Sequence, residues 1–116
     1  MIIGIGIDII EVGRVRKAIE RTPRFADRVF TPAEIAYSEG KASRFQHLAA
    51  RFAAKEAFFK AIGRRAGWTD IEVVNEDSGR PRLVVRSEED FGFTRGHVSL
   101  THAAETAAAV VGLERD

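Results

Sequence analysis

The sequence contains no cysteine, which excludes disulfide frameworks, thiolate metal sites and cysteine nucleophiles. It has no apolar run long enough to span a membrane. Met1–Ile10 is apolar but carries an acid at Asp8, and it lacks the basic start and small-residue cleavage site of a signal peptide. No internal repeat, low-complexity tract or linker interrupts the chain. The 116 residues are therefore expected to form one domain, residues 1–116, and the cytoplasm is the expected compartment. Charged residues make up 30% and hydrophobic residues 45%, the proportions of an ordinary globular protein. A chain this short buries a limited fraction of its surface, so self-association is plausible on size alone.

A strong charge of one sign is also lacking, since the net charge is +1. The distribution is nevertheless uneven. Arg14, Arg16, Lys17, Arg21, Arg24 and Arg28 crowd the stretch after Gly13, opposed only by Glu20 and Asp27. Such an excess suits either an acidic partner or a solvated helix face.

Ile2–Ile10 reads as a strand, with Ile3, Ile5, Ile7 and Ile9 on one face and Gly4, Gly6 and Asp8 on the other. A helix is expected from about Glu11 to Arg21, ended by Thr22-Pro23 because the residue before proline avoids helical angles. Thr31-Pro32-Ala33-Glu34 is a capping-box helix start, and Gly40 ends that helix. Ser43-Arg44-Phe45-Gln46 predicts a second capping box, opening a long helix to about Ile62 with Gly63 as its stop. Ile71–Val74 and Arg82–Val85 predict two strands joined by a turn, and His97–His102 a third. Thr106–Leu113 is open: its alanines favour helix, while Val110-Val111 permits a closing strand. Segregated helices and strands point to an α+β domain, an antiparallel sheet packed on the long helix.

Two carboxylates stand out. Asp8 interrupts an apolar strand, and a buried acid needs a partner or a metal. Gly4 and Gly6 beside it suggest room for a ligand near the backbone; the alternative is that Asp8 caps the next helix. Phe45, Leu48, Phe52 and Phe59 form a stripe on the long helix at about 100° per residue, and Glu56 falls within roughly 20–40° of Phe45 and Phe52. It sits at the edge of the buried face, with an i,i+4 ion pair to Lys60 as the alternative account. Two acids with cations near them suit magnesium and phosphate: Lys60 lies one turn on, and Arg51 and Lys55 are on an adjacent face. His102, after Val98-Ser99-Leu100-Thr101, is either a phosphate donor or an ordinary strand-end residue.

Gly4-Ile5-Gly6-Ile7-Asp8-Ile9, then Arg51-Phe52-Ala53-Ala54-Lys55-Glu56-Ala57 with Lys60-Ala61 and Gly63, then Gly79-Arg80-Pro81, then Val98-Ser99-Leu100-Thr101-His102 occur in this order. Together they closely resemble the bacterial holo-acyl-carrier-protein synthases of the 4′-phosphopantetheinyl transferase superfamily, over nearly the whole chain. The resemblance implies a magnesium-dependent enzyme of fatty acid biosynthesis that moves 4′-phosphopantetheine from coenzyme A to a serine of apo acyl carrier protein, releasing adenosine 3′,5′-bisphosphate. It implies that Asp8 and Glu56 coordinate Mg2+ and, with Lys60, form the catalytic set. Glu56, or a water held near Asp8, would take the serine proton.

The resemblance further implies coenzyme A contacts from Arg51, Lys60, Gly63, Pro81, Ser99, Thr101 and His102. It implies carrier-protein docking on Arg14, Arg21, Arg24, Phe25 and Arg28, and a homotrimer with active sites between subunits. One departure is visible. Where the family often continues with Thr and Gly, Gly63 is followed here by Arg64-Arg65-Ala66-Gly67-Trp68, so Arg64 or Arg65 is expected to contact the 3′-phosphate. Two other readings compete. A catalytically inactive coenzyme A or nucleotide binding module would be expected to have lost one acid, and both are present. A nucleic-acid-binding domain would need a basic and aromatic platform, whereas the phenylalanines here read as core. No nucleic acid or membrane partner is expected.

Overall fold

The structure, a computed structural model, describes residues 1–116. Its elements run β1 (Ile2–Glu11), α1 (Val12–Arg21), α2 (Phe25–Val29), α3 (Pro32–Glu39), α4 (Arg44–Ile62), β2 (Ile71–Asn75), β3 (Pro81–Val85), β4 (Arg95–His102) and β5 (Thr106–Glu114). Two antiparallel sheets result, one of order β1-β5-β4 and one pairing β2 with β3. The α+β expectation holds, with α4 as the central element that both sheets and the other helices pack around.

Local signals set most boundaries. Thr22 before Pro23 is extended and closes α1. At α3 both halves of the capping box form: Glu34 N–H donates to Thr31 Oγ1 at 3.3 Å, and Thr31 N–H to Glu34 Oε1 at 2.9 Å. Gly63 ends α4 at φ 78°, the left-handed region that glycine enters freely. The second capping box does not form. Ser43 makes no side-chain cap, and Gln46 instead donates to the carbonyls of Ala103 and Ala104 at 3.0 and 3.1 Å. Tying down the β4–β5 turn competed successfully for the Gln46 amide.

The open segment Thr106–Leu113 is the central strand β5, hydrogen-bonded to β1 on one side and β4 on the other. Its alternate residues Ala107, Ala109, Val111 and Leu113 are buried against α4. Pairing on both edges overrides the helical preference of its alanines.

The approach of β1 to α4 is unusually close. A Cβ on Gly4 would lie 2.0 Å from the Ala61 carbonyl oxygen, and one on Gly6 1.8 Å from that of Ala57. The space expected for a ligand at these glycines is filled by helix backbone instead. This contact, with Ala53, Ala54, Ala57 and Ala61 on α4, sets the strand directly on the helix and leaves the other β1 face outward. Met1 (88%), Ile5 (65%), Ile7 (66%) and Ile9 (69%) are exposed there, beside Val110 of β5. That is an apolar row of a kind that monomers rarely leave uncovered.

Candidate functional site

The β1–α4 packing sets where Asp8 stands along the helix that carries Glu56. Gly4 opposes Ala61 and Gly6 opposes Ala57, so two residues of strand (about 6.8 Å) match four of helix (about 6.0 Å). Asp8 is next on that face and arrives one turn further along α4, beside the edge that carries Glu56 and Lys60. Asp8 and Glu56 are each only partly exposed, at 18% and 19% of their side chains. The cap alternative for Asp8 fails, because α1 begins after Glu11 with no side-chain cap.

Each acid carries a cation. Lys60 Nζ lies 3.2 Å from Asp8 Oδ1 and donates to the Ile7 carbonyl at 2.9 Å. Arg65 Nη1 lies 3.1 Å from Glu56 Oε1. The expected Glu56–Lys60 pair is therefore replaced: the close β1 backbone captures the ammonium, and Arg65 reaches back past the helix end. Arg65 rests over the rings of Phe59 and Trp68 at 5.3 and 5.6 Å. Arg64 turns away to pair with Glu89, with its guanidinium 5.4 Å from the Phe91 ring centroid. Of the two arginines, only Arg65 pairs with one of the two acids, Glu56.

No group of three or more His, Cys, Asp or Glu gathers anywhere in the chain. Two partly exposed carboxylates whose counter-cations are themselves 55% and 67% exposed fit magnesium, which keeps several waters and completes its shell with substrate phosphates. They do not form an all-protein cage for calcium or a zinc site.

Arg51 and Lys55 belong elsewhere. Both are buried, at 2% and 0% exposure, rather than on a face adjoining Lys60. Lys55 pairs with buried Glu34 at 2.7 Å and donates to the carbonyls of Val29 and Trp68 at 2.8 Å each. Glu34 also accepts the Val73 N–H at 2.9 Å. Burial holds Lys55 below the ordinary lysine range, opposed by Glu34. Arg51 bonds Asn75, lies 4.4 Å from the Tyr37 centroid, and leaves its Nε without a partner. Burial lowers it too, against the pull of Glu34 and Tyr37.

Arg51 lines a cavity of about 240 Å³ shared with Tyr37, His47, Asn75, Pro81 and His102. Three expected coenzyme A residues, Arg51, Pro81 and His102, are thus brought together. Tyr37, His47 and Asn75 join them without having been singled out in the sequence. His47 lies four residues before Arg51 on α4, a spacing that shares a helix face and would have found it. Ser99 and Thr101 lie instead on the outer sheet face, lining a hollow with Ile7 and Val110.

Within one chain the expected site is therefore divided. Asp8, Glu56 and Lys60, with Gly63 at the end of α4, stand at the β1 edge. The Arg51 cavity stands at the β4 edge, about two strand spacings or 9.6 Å across the sheet. Arg14, Arg21, Arg24 and Arg28 are exposed on α1, α2 and the link between them. Phe25 is half-buried, stacked at 6.2 Å on Phe52, which stacks at 5.1 Å on Trp68.

The family model described as the 4′-phosphopantetheinyl transferase superfamily matches residues 4–111. The chain is 49% identical to the holo-[acyl-carrier-protein] synthase of Streptomyces avermitilis, over 97% of this chain and 98% of that protein. The corresponding synthase of Koribacter versatilis is 46% identical, over 98% and 99%. Among solved structures, the Bacillus anthracis holo-(acyl-carrier-protein) synthase in complex with CoA (3′,5′-ADP) matches with a TM-score of 0.83 and 41% identity, over 100% and 99% of the two chains. The Neisseria meningitidis synthase matches with a TM-score of 0.87 and 30% identity, over 99% and 100%.

Proposed function

We propose, from the premise that the chain belongs to the 4′-phosphopantetheinyl transferase superfamily, that it transfers 4′-phosphopantetheine from coenzyme A to a serine of apo acyl carrier protein. The observation that carries the reading is the pair of partly exposed acids, Asp8 and Glu56, each held by a displaceable cation at the β1–α4 seam. The serine oxygen forms a bond to the phosphorus bearing pantetheine. The pyrophosphate bond breaks, and adenosine 3′,5′-bisphosphate leaves. The serine proton passes to Glu56 or to a water beside Asp8.

Asp8 and Glu56 would hold Mg2+, which when bound supplies charge neutralisation at the phosphates. Lys60 is within one helical turn of Glu56 and exchanges Asp8 for a phosphate oxygen. Arg51, His102 and Pro81 receive part of coenzyme A in their cavity, Ser99 and Thr101 another part, and Gly63 admits close backbone approach. Arg64, paired with Glu89, fits the 3′-phosphate role less well than Arg65 does. The exposed arginines Arg14, Arg21, Arg24 and Arg28 suit an acidic carrier protein, with Phe25 as the apolar contact among them.

The divided site favours assembly. A ring of three chains would cover the isoleucine row and bring one protomer's Asp8 edge to its neighbour's Ser99, Thr101 and His102 edge. No helix is long and apolar enough to cross a membrane, in keeping with a cytoplasmic enzyme serving fatty acid biosynthesis.

The test is the intact mass of an apo acyl carrier protein incubated with the enzyme, coenzyme A and Mg2+. A gain of one phosphopantetheine that chelation abolishes is the expected result. An unmodified carrier with coenzyme A bound would favour the inactive binding module. In parallel, Ile7→Glu should lower the mass measured by light scattering from trimer to monomer and remove turnover with it.

A further inference from the structure

We propose that His47 is a further substrate-binding residue, meeting a phosphate group of the substrate together with His102 in the Arg51 cavity. The proposal rests on the reading that coenzyme A occupies this cavity. The His47 ring is fixed edge-on between two neighbours, 5.5 Å from Tyr37 and 5.3 Å from His102 by ring centroid. It is four residues from Arg51 on the same face of α4 and lines the same cavity. Arg51 is 2% exposed, yet its Nε has no partner. A buried guanidinium hydrogen left unsatisfied is costly, and Arg51 is one of the residues that line the cavity.

The charges around the imidazole are of one sign. Lys41, just beyond α3, has its ammonium 4.3 Å from the Tyr37 centroid. Arg51 faces the same ring from α4, and His102 enters from β4. Asn75 of β2 and Pro81 of β3 are neutral, and Tyr37 of α3 meets the His47 ring edge-on at 5.5 Å. Glu34, the carboxylate that bears on Arg51, is buried and already held by Lys55 at 2.7 Å. Burial, then His102, Arg51 and Lys41, hold His47 below the usual histidine value of 6.5. These neighbours favour the neutral imidazole, and an entering phosphate reverses the balance. Binding raises the His47 value, so affinity is full below the free value and is lost as pH rises through the bound value.

The experiment follows the imidazole resonances of histidine-labelled wild-type protein against pH, without and with saturating coenzyme A. The expected result is that His47 titrates below 6.5 when free and moves up by about one unit or more when coenzyme A is bound. In steady state, His47→Phe, which keeps the ring contacts with Tyr37 and His102, should raise KM for coenzyme A about tenfold. The change in kcat should be smaller, and the rise of KM with pH should flatten. Identical His47 titrations in the two states would overturn the proposal, as would an unaltered KM–pH profile in a folded His47→Phe. Failure of wild-type protein to bind coenzyme A at all would instead overturn the underlying functional reading.

Discussion

Lys55 and Glu56 are adjacent in the chain and opposite in circumstance. Lys55 is fully buried, paired with Glu34, and every hydrogen-bonding position of its ammonium is filled by Glu34 or by the carbonyls of Val29 and Trp68. Glu56 stands on the rim of the same helix, 19% exposed, held only by an arginine that is itself 67% exposed. A difference of 100° around the helix axis separates a charge sealed into the fold from a charge kept available. Satisfied burial makes Lys55 structural. Pairing with an exposed arginine leaves Glu56 accessible to a competing cation. The same division separates Asp8, held by a half-exposed lysine, from Glu72. Glu72 is buried at 4% and bound by Thr31 and by Arg86 at 2.7 and 3.0 Å.

This contrast can be broken by mutation. The largest effect is expected for Lys55→Met, which leaves Glu34 buried without its cation. Loss of one partner of a buried pair costs about 3–5 kcal/mol, read as a fall in the chemical-denaturation midpoint, while the remaining folded protein still turns over. If Lys55→Met kept wild-type stability and lost turnover, the two neighbours would have exchanged roles. Next, Asp8→Asn and Glu56→Gln should each lower kcat about a hundred- to a thousandfold, the scale of removing a charge-stabilising group, with thermal midpoints near wild type. A large drop in midpoint with turnover retained would mark these acids as structural.

A smaller effect tests the sealed side by pH. Burial alone pushes Glu72 up, but the Thr31 hydroxyl and Arg86 outweigh it and hold the carboxyl below its ordinary 4.5. Its stabilisation is therefore present above 4.5 and lost as pH falls through the lower folded value. Arg86→Gln should cost about 1 kcal/mol at neutral pH, and the difference from wild type should vanish in acid unfolding below that range. A difference independent of pH would assign the loss to packing. The smallest effect is at Arg65. Removing this exposed partner from Glu56 by Arg65→Ala should tighten Mn2+ binding to the free protein roughly two- to fivefold, the size of a surface ion pair. Weaker binding would mean that Arg65 positions Glu56 rather than competing for it.

Much of this was legible along the chain. The Thr31 box, the Thr22-Pro23 break and the Gly63 stop are local events whose partners lie within four residues, so composition and spacing suffice. The two acids were conspicuous because each breaks an apolar pattern. Partners dozens of residues away were not legible. Gln46 looked like half of a capping box and went to Ala103 and Ala104. Lys60 looked like the partner of Glu56 and went to Asp8 and Ile7. Gly4 and Gly6 looked like room for a ligand and proved to be room for α4. For His47 the sequence holds only an indirect signal, its i,i+4 spacing to Arg51; the approach of His102 and Tyr37 to its ring is a tertiary contact.

That Asp8 and Glu56 stand out was decided by the sequence itself, because a carboxylate inside an apolar strand or beside an aromatic stripe is anomalous whatever the fold; the metal-binding role proposed for them comes from the family resemblance. Which cation each acid holds was decided only in three dimensions. So were which of the motif's charges is sealed in, and the separation of the Arg51 cavity from the acid pair. Those outcomes depend on a strand lying against helix backbone at Gly4 and Gly6, and on β5 pairing on both edges. Such long-range contacts satisfy or strand each polar group according to its final neighbours, not its neighbours in sequence.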